Sequence, residues 1–157
     1  MLFRSRYFCF HTGVGYDAAV VRNVERRAAL KRYLGHPLFV GAALQTWAFG
    51  YGRKHPHFSV RIGESTPIEG YFSIVMNTNP YTFLGKKPLN LSPAANLDGG
   101  LSVITFTSLS AVTLLGSLGK ALLRGGIHEN KHVAVRENVP MLSVENDRPF
   151  QIGRAHV

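Results

Sequence analysis

Segments in which apolar and polar residues alternate predict a chain that is rich in β-strands. Residues 58–62, Phe-Ser-Val-Arg-Ile, alternate strictly, which is typical of a strand with one buried face. Longer apolar runs are typical of strands that are buried more completely. On these criteria, further strands are predicted at residues 2–10, 68–76, 101–107, 132–135 and 142–144.

Three segments keep apolar residues at helical spacing and carry helix-ending residues. Helices are predicted from about residue 16 and over 38–49, separated by Gly35-His36-Pro37, because the residue before a proline disfavours helical geometry. A further helix is predicted over 109–123, with Ser110 at its start and Gly125-Gly126 as its stop.

Glycine and proline predict where the chain turns. The segment 12–15, Thr-Gly-Val-Gly, is expected to break the first strand, and residues 77–93 are expected to form a long polar loop. Because regular strand–helix alternation is missing, a doubly wound parallel sheet is not expected. The predicted fold class is α+β, a mostly antiparallel β-sandwich with helical insertions.

Net charge indicates the class of partner, and cysteine content indicates the compartment. The chain carries 18 Lys and Arg against 9 Asp and Glu, a net charge of +9, which favours anionic partners such as nucleotide phosphates or acidic lipid. No long basic run or aromatic-basic motif occurs, so nucleic acid is not an expected partner. The single cysteine, Cys9, excludes an internal disulfide and indicates a reducing, cytoplasmic compartment. The seven histidines form no metal-binding pattern and are interpreted as surface or loop residues.

Three motifs follow one another along the chain. The first is Gly-Val-Gly-Tyr-Asp-Ala at 13–18, with Lys31 and Gly35 after it. The second is Val-Met-Asn at 75–77, with Tyr81 and a glycine-containing loop after it. The third is Ser-Pro-Ala-Ala-Asn-Leu-Asp-Gly-Gly-Leu-Ser-Val at 92–103. This ordered set resembles the C-terminal domain of bacterial diacylglycerol kinases and of the related sphingosine and ceramide kinases, over residues 7–151.

The resemblance implies the second domain of the lipid kinase or NAD kinase-like fold. It implies a parent enzyme that uses ATP and Mg²⁺ to transfer the γ-phosphoryl group to the hydroxyl of a diacylglycerol-like lipid at a membrane surface. The Gly-Gly-Asp-Gly-Thr loop of the family's N-terminal nucleotide-binding domain does not occur in this sequence. We therefore expect that domain to be absent and this fragment to be inactive alone.

The resemblance also implies a lipid-binding role for Asp17, next to Gly13 and Gly15. Glycines let the backbone approach a ligand closely, and a carboxylate at a helix start can accept a hydrogen bond from a substrate hydroxyl. The alternative for Asp17 is an ordinary helix N-cap.

Three further residues are candidates for contact with the nucleotide phosphates: Lys31, Arg32 and Asn77. Positive charge offsets the charge on phosphate oxygens during phosphoryl transfer. The alternatives are a solvated basic helix face for Lys31 and Arg32, and a loop-ordering role for Asn77.

Asp98 is the candidate metal ligand, because the family's equivalent loop holds a magnesium ion. The family often has two adjacent acids there, whereas Leu97 and Gly99 flank Asp98. Its alternative role is to cap the Asp98-Gly99 turn.

The last residues depart from the family pattern. The family continues after the equivalent of Ile152 into Asp-Gly-Glu or Asp-Gly-Asp, whose Asp is the proposed catalytic base, whereas Gly153 follows here. The string Ile-Gly-Arg-Ala-His-Val at 152–157 resembles the translation of a common short-read sequencing adapter. We therefore expect an incomplete kinase domain at 1–151, an artefactual tail at 152–157 and no catalytic residue in the chain.

A second hypothesis needs no catalysis. A basic β-sandwich could bind an anionic membrane surface by charge and partial apolar contact. A nucleic-acid binder is a third and weaker idea, which rests on net charge alone. On the kinase hypothesis and on the membrane-binding hypothesis alike, we expect a cytoplasmic protein with peripheral membrane association. A second copy of the chain, in a homodimer, is a further candidate partner.

Overall fold

The computed structural model describes residues 10–15, 58–84, 86–145 and 152–154, and the structural statements below concern these residues. They form ten strands and one helix. The strands in the first half are β1 His11–Gly15, β2 Phe58–Ile62, β3 Ile68–Gly70, β4 Phe72–Met76, β5 Thr82–Leu84 and β6 Lys87–Leu89. The remaining elements are β7 Leu101–Phe106, α1 Ala111–Leu123, β8 Val133–Val139, β9 Leu142–Glu145 and β10 Ile152–Arg154.

The largest sheet has five antiparallel strands in the order β10-β1-β4-β7-β8. All five residues of β4 are buried, and so are five of the six in β7. The two strands pair with Ile74 opposite Ile104. Both strands are mostly apolar, because a central strand that is covered on both faces has no side exposed to solvent.

One face of the five-stranded sheet packs on a three-stranded sheet of order β3-β2-β9. The buried residues between the two sheets are mostly small and β-branched, and we call them the valine cluster: Val14, Phe58, Val60, Val75, Val103 and Val139. Two buried hydroxyls lie on the same strands, where Ser73 pairs with Thr105 in the β4–β7 register.

The other face is covered by less regular structure. The β5–β6 hairpin, the loop 90–100 and α1 enclose larger side chains there, which we call the large-residue cluster: Phe72, Ile74, Met76, Leu89, Leu91, Ala95, Ile104, Phe106, Leu109, Ala121, Ile127 and Val133. The rings of Phe72 and Phe106 stack with centroids 4.2 Å apart. The predicted fold class, an α+β protein of mostly antiparallel sheets, is confirmed.

Helix α1 begins and ends where its sequence predicts. The Ser110 hydroxyl accepts a hydrogen bond from the Thr113 backbone N–H at 3.1 Å, so one of the free donors of the first turn is satisfied. At the other end, Gly125 has a positive φ of 72°, a conformation that favours glycine and ends helices.

Two predictions about strands are wrong. Residues 68–76 form two strands in different sheets, because the chain leaves the three-stranded sheet at Gly70 and enters the five-stranded sheet at Phe72. A Cβ at Gly70 would lie 2.7 Å from Thr105 Cγ2, so only glycine fits where the chain crosses between the sheets. Residues 77–93 are not all loop, since they contain the β5–β6 hairpin.

Residues 58–62 form a strand as predicted, whereas the predicted strand at 132–135 extends to Val139 as β8. Residues 152–154, which the sequence assigns to an added tail, form β10 and pair with β1. Strand pairing uses backbone groups that every sequence has. The origin of this segment therefore stays a prediction.

Candidate functional site

The glycines of the first motif lie inside a strand. Gly13 and Gly15 belong to β1, which pairs with β10 on one side and β4 on the other, so the prediction that this segment breaks a strand is wrong. Backbone hydrogen bonds to two neighbouring strands outweigh the weak strand propensity of glycine. Gly15 ends the strand with a φ of 79°, which favours glycine at this position.

The register of β1 places two glycines side by side. Gly13 lies opposite Ile74 of β4 and opposite Gly153 of β10. Opposite residues of an antiparallel pair have Cα atoms about 4.5–5.5 Å apart. Whatever residue occupies position 153 is therefore a direct neighbour of the first motif.

Asp17, Lys31 and Arg32 lie outside the described residues, and so does the helix predicted over 38–49. Their proposed contacts with lipid and nucleotide stay predictions. The described part of the first motif reaches Gly15, two residues before Asp17.

Asn77 follows β4 directly, and its backbone N–H donates a hydrogen bond to the Phe10 carbonyl oxygen at 2.7 Å. Gly15 pairs with Phe72 at the far end of β4. Asn77 is five residues beyond Phe72, and five strand residues at about 3.3 Å each span roughly 16 Å. The structure therefore does not bring Asn77 and the Gly15 end of the first motif together.

A histidine that sequence reasoning placed at the surface or in a loop lies near Asn77. His11 is in β1 opposite Met76, half-buried, and its ring centroid is 4.5 Å from that of Tyr81. Burial lowers the pKa of His11 below its usual value, because removing the ring from water disfavours the charged form. The interpretation of His11 as a surface or loop residue is therefore wrong.

An asparagine pair extends this polar end of the sheet. The Asn79 side-chain N–H donates to Asn90 Oδ1 at 3.1 Å, and Asn79 precedes a cis peptide bond to Pro80. Asn79 Oδ1 is buried and has no hydrogen-bond partner in the described part of the chain. This oxygen is an acceptor that a ligand or water could satisfy.

The Asp98 loop is held by two asparagines that sequence reasoning missed. Asn96 Oδ1 accepts from the Asp98 backbone N–H at 3.0 Å, and its side-chain N–H donates to the Ala94 carbonyl at 2.9 Å. The Gly100 backbone N–H donates to Asn138 Oδ1 at 2.9 Å, which fixes the loop to β8. A Cβ at Gly100 would lie 2.6 Å from the Asn138 carbonyl carbon, so this contact requires glycine.

The contacts of this loop bear on both roles predicted for Asp98, turn cap and metal ligand. The turn is capped by Asn96, two residues earlier, rather than by Asp98, whose side chain is exposed. No group of three or more His, Cys, Asp or Glu suited to a metal occurs in the described ranges. Magnesium is often held by one or two carboxylates together with water and phosphate oxygens, so the role of Asp98 as a metal ligand stays a prediction.

The loop is also tied to the sheet by buried hydroxyls. Ser92 Oγ lies 3.0 Å from Glu137 Oε1 and 3.2 Å from Ser102 Oγ. The residues between Ser92 and Gly100 therefore have fixed ends, which positions Asp98 at the same end of the sheet as Asn77. Ser102 pairs with Met76, the residue before Asn77.

Comparison with solved structures gives the fold relationship. The chain is similar to a protein described as a candidate diacylglycerol kinase from Bacillus anthracis str. Sterne, with a TM-score of 0.60 and 18% identity, covering 96% of this chain and 48% of that one. A second such protein from the same organism has a TM-score of 0.55 and 15% identity, over 96% and 47% of the two chains. A structure described as diacylglycerol kinases, also from that organism, has a TM-score of 0.51 and 19% identity, over 92% and 44%.

The chain thus spans less than half the length of these solved proteins. No family model matches the sequence, and no curated protein does so. The shared fold agrees with the resemblance that the three ordered motifs indicate.

Proposed function

We propose that the chain is part of an ATP-dependent lipid kinase that transfers the γ-phosphoryl group of ATP to the hydroxyl of a diacylglycerol-like lipid. The observation that supports this most is the match of fold over nearly the whole chain to about half of candidate diacylglycerol kinases. The three motifs, in the same order as in that family, support it independently of the fold.

The work of the parent enzyme is divided between two domains in this proposal. The half outside this chain supplies the nucleotide loop. In this chain, the segment of Gly13, Gly15 and Asp17 faces the lipid hydroxyl, and Lys31, Arg32 and Asn77 lie toward the phosphates. Phosphoryl transfer depends on positioning and on positive charge around the transferred group, which these residue types provide.

The strand register supports a place for the general base. Position 153 is opposite Gly13 on the neighbouring strand, next to the motif that contains Asp17. An Asp at that position in the parent would accept the proton of the lipid hydroxyl as the phosphoryl group is transferred. Because this chain carries Gly153, we propose that it is inactive alone even when ATP and lipid are present.

Magnesium enters the proposal with ATP, whose phosphate charge it offsets. Asp98 is a magnesium ligand in the parent in this proposal, where residues beyond the described ranges complete the oxygen set. The parent acts on a lipid, so we also propose a cytoplasmic protein with peripheral association at a membrane surface.

The first test is to sequence the encoding DNA on both sides of this reading frame. The proposal expects a Gly-Gly-Asp-Gly-Thr loop upstream and Asp-Gly-Glu or Asp-Gly-Asp in place of Gly153 onward. Protein extended in this way is expected to transfer labelled γ-phosphate from ATP to diacylglycerol in detergent mixed micelles with Mg²⁺. An extended protein that binds ATP and labels no lipid alcohol would remove the kinase assignment.

Asp17→Ala tests the lipid site within the extended protein. We expect a loss of turnover of about a hundredfold or more, the scale of losing a group that positions or polarises a reacting hydroxyl. Glu64→Ala, at an exposed turn between β2 and β3, is the matched control and should keep full activity. Equal activity of the two variants would remove Asp17 from the site.

A further inference from the structure

Helix α1 has an inner and an outer face. Its inner face packs on the large-residue cluster, with Ser117 and Ala121 buried and Leu114 partly buried. On the outer side, Val112, Leu115 and Leu123 are 84%, 68% and 81% exposed. A surface helix of a globular protein normally presents polar residues to water, so this exposure requires an explanation.

The exposed apolar residues form one continuous surface. At 100° per residue, Val112, Leu115, Leu118 and Leu123 fall within an arc of about 160° of the helix circumference. Ala111 and Leu122 also fall within this arc, and Leu122 packs partly on the large-residue cluster. Gly116 and Gly119 lie within the same arc, and a Cβ added at either would meet nothing within 4 Å. We call the four exposed apolar residues and these two glycines the outer face of α1, and it contains no charged or hydroxyl side chain.

The charges that α1 and its C-cap carry are both positive. Lys120 is the only charged residue of α1, and Arg124 is its C-cap. No Asp or Glu occurs between Asp98 and Glu129. Neither Lys120 nor Arg124 takes part in the ion pairs of the described residues, which join Arg61 to Glu145 and Arg136 to Glu129.

We infer that the outer face of α1 docks on an anionic membrane surface. The helix would lie in the plane of the interface with its leucines and valine at the boundary of the acyl chains. Lys120 and Arg124 would extend to the phosphates of the lipid headgroups, because long basic side chains place their charge in the polar layer while their stems stay apolar. This inference rests on the proposed function, since a lipid kinase must reach its substrate at a membrane.

Two features favour a membrane over a protein partner. A helix of 13 residues is about 20 Å long, and a face about 10 Å wide has a footprint of a few hundred Å². Stable protein interfaces bury roughly 800 Å² on each partner, so this face alone is too small for a second copy of the chain. A basic border without acids is also self-repelling between copies but complementary to anionic lipid. No helix in the described ranges is long and apolar enough to cross a membrane.

The test is co-sedimentation of the full chain with vesicles of phosphatidylcholine alone or with 30% phosphatidylglycerol, at low ionic strength. We expect binding to the anionic vesicles that weakens in high salt. Val112→Ser with Leu115→Ser should weaken binding by roughly tenfold or more, because it removes buried apolar contact. Leu97→Ser with Met141→Ser is the matched control, since both residues are exposed apolar side chains elsewhere, and it should bind like the unchanged chain.

A second pair of variants tests the charged border. Lys120→Gln with Arg124→Gln should weaken binding about tenfold, and Lys86→Gln with Lys87→Gln, in the β5–β6 hairpin, should have a smaller effect. Circular dichroism spectra that match the unchanged chain confirm that each variant is folded. Equal losses for both charge pairs would mean diffuse attraction by net charge and would overturn the assignment to α1.

The remaining outcomes separate this inference from the kinase proposal. Absence of binding to anionic vesicles overturns the inference, and so does a dimer in sedimentation velocity that Val112→Ser with Leu115→Ser dissociates. The vesicles contain neither ATP nor diacylglycerol, so they do not report on catalysis. If the extended protein phosphorylates lipid in micelles but the chain does not bind vesicles, the kinase proposal stands and the docking surface is wrong. If the chain binds vesicles but the extended protein phosphorylates no lipid, the docking surface stands and the kinase proposal is wrong.

Discussion

The two faces of the five-stranded sheet are covered in different ways, although the same strands supply both. The valine cluster lies under a second sheet, where small β-branched side chains fill the regular space between two layers. The large-residue cluster lies under a hairpin, a loop and a helix, where Phe, Ile, Met and Leu fill an irregular space. Small side chains of similar shape therefore fill the space under the second sheet. Individual large side chains fill the space under the hairpin, loop and helix.

The strongest test of this difference compares two adjacent residues of β7. Ile104→Ala should lower the free energy of unfolding by about 2–5 kcal/mol, because Ile104 is fully buried in the large-residue cluster. Val103→Ala, on the valine cluster, should cost about 1 kcal/mol less, since it removes one carbon fewer. Urea denaturation measures both, and an equal or larger cost for Val103→Ala would contradict the comparison.

The next test concerns the polar pair beside the valine cluster. Ser73 Oγ lies 2.9 Å from Thr105 Oγ1, and both side chains are buried. Thr105→Val keeps the shape and should cost about 1 kcal/mol, the usual net value of one hydrogen bond. A double-mutant cycle with Ser73→Ala should give a coupling energy of about 1 kcal/mol, and additive effects would show that the pair does not interact.

Two glycines near α1 should respond with opposite sign to the same substitution. Gly125→Ala should lower the free energy of unfolding by about 1 kcal/mol, because its positive φ is strained for any residue with a Cβ. Gly119→Ala should raise it by about 0.5–1 kcal/mol, since its Cβ enters open space within a helix. Thermal unfolding measures both changes. If both substitutions changed the free energy of unfolding in the same direction, α1 would not be a stable helix on the large-residue cluster.

The smallest expected effect is a pH dependence from His11, which packs on Tyr81 at the end of the sheet. Because burial lowers the pKa of His11, the folded chain binds fewer protons than the unfolded chain below about pH 6.5. The free energy of unfolding should therefore fall as the pH drops from 6.5 toward the lowered pKa. His11→Phe should reduce this slope in urea denaturation followed across that pH range, and an unchanged slope would contradict the prediction.

The sequence predicts the parts of the fold that local interactions decide. The start of α1 at Ser110 and its stop at Gly125 follow from contacts within four residues, and the strict alternation of 58–62 follows from one buried face. The break at Gly70 was missed because its cause is a contact with Thr105, far away in the sequence. The β5–β6 hairpin was missed because Pro88 indicates loop, although a two-stranded edge tolerates proline.

The candidate site was predictable to a smaller degree. The third motif predicts a turn at Asp98-Gly99, but the residues that hold this loop, Asn96 and Asn138, act through a turn and a distant strand. The His11–Tyr81 contact likewise joins segments that are seventy residues apart. Asp17, Lys31 and Arg32 stay predictions, because they lie outside the described residues.

Among the described strands, β8 lies at one edge of the five-stranded sheet, where an unprotected strand favours aggregation. A long, flat edge offers backbone groups on which another chain can add a strand. Along β8, Arg136 and Glu137 are exposed, and Asn138 has a φ of 54°, which turns the backbone out of strand geometry. The same asparagine that fixes the Gly100 loop thus interrupts the template, so that growth of intermolecular sheets from this edge is disfavoured.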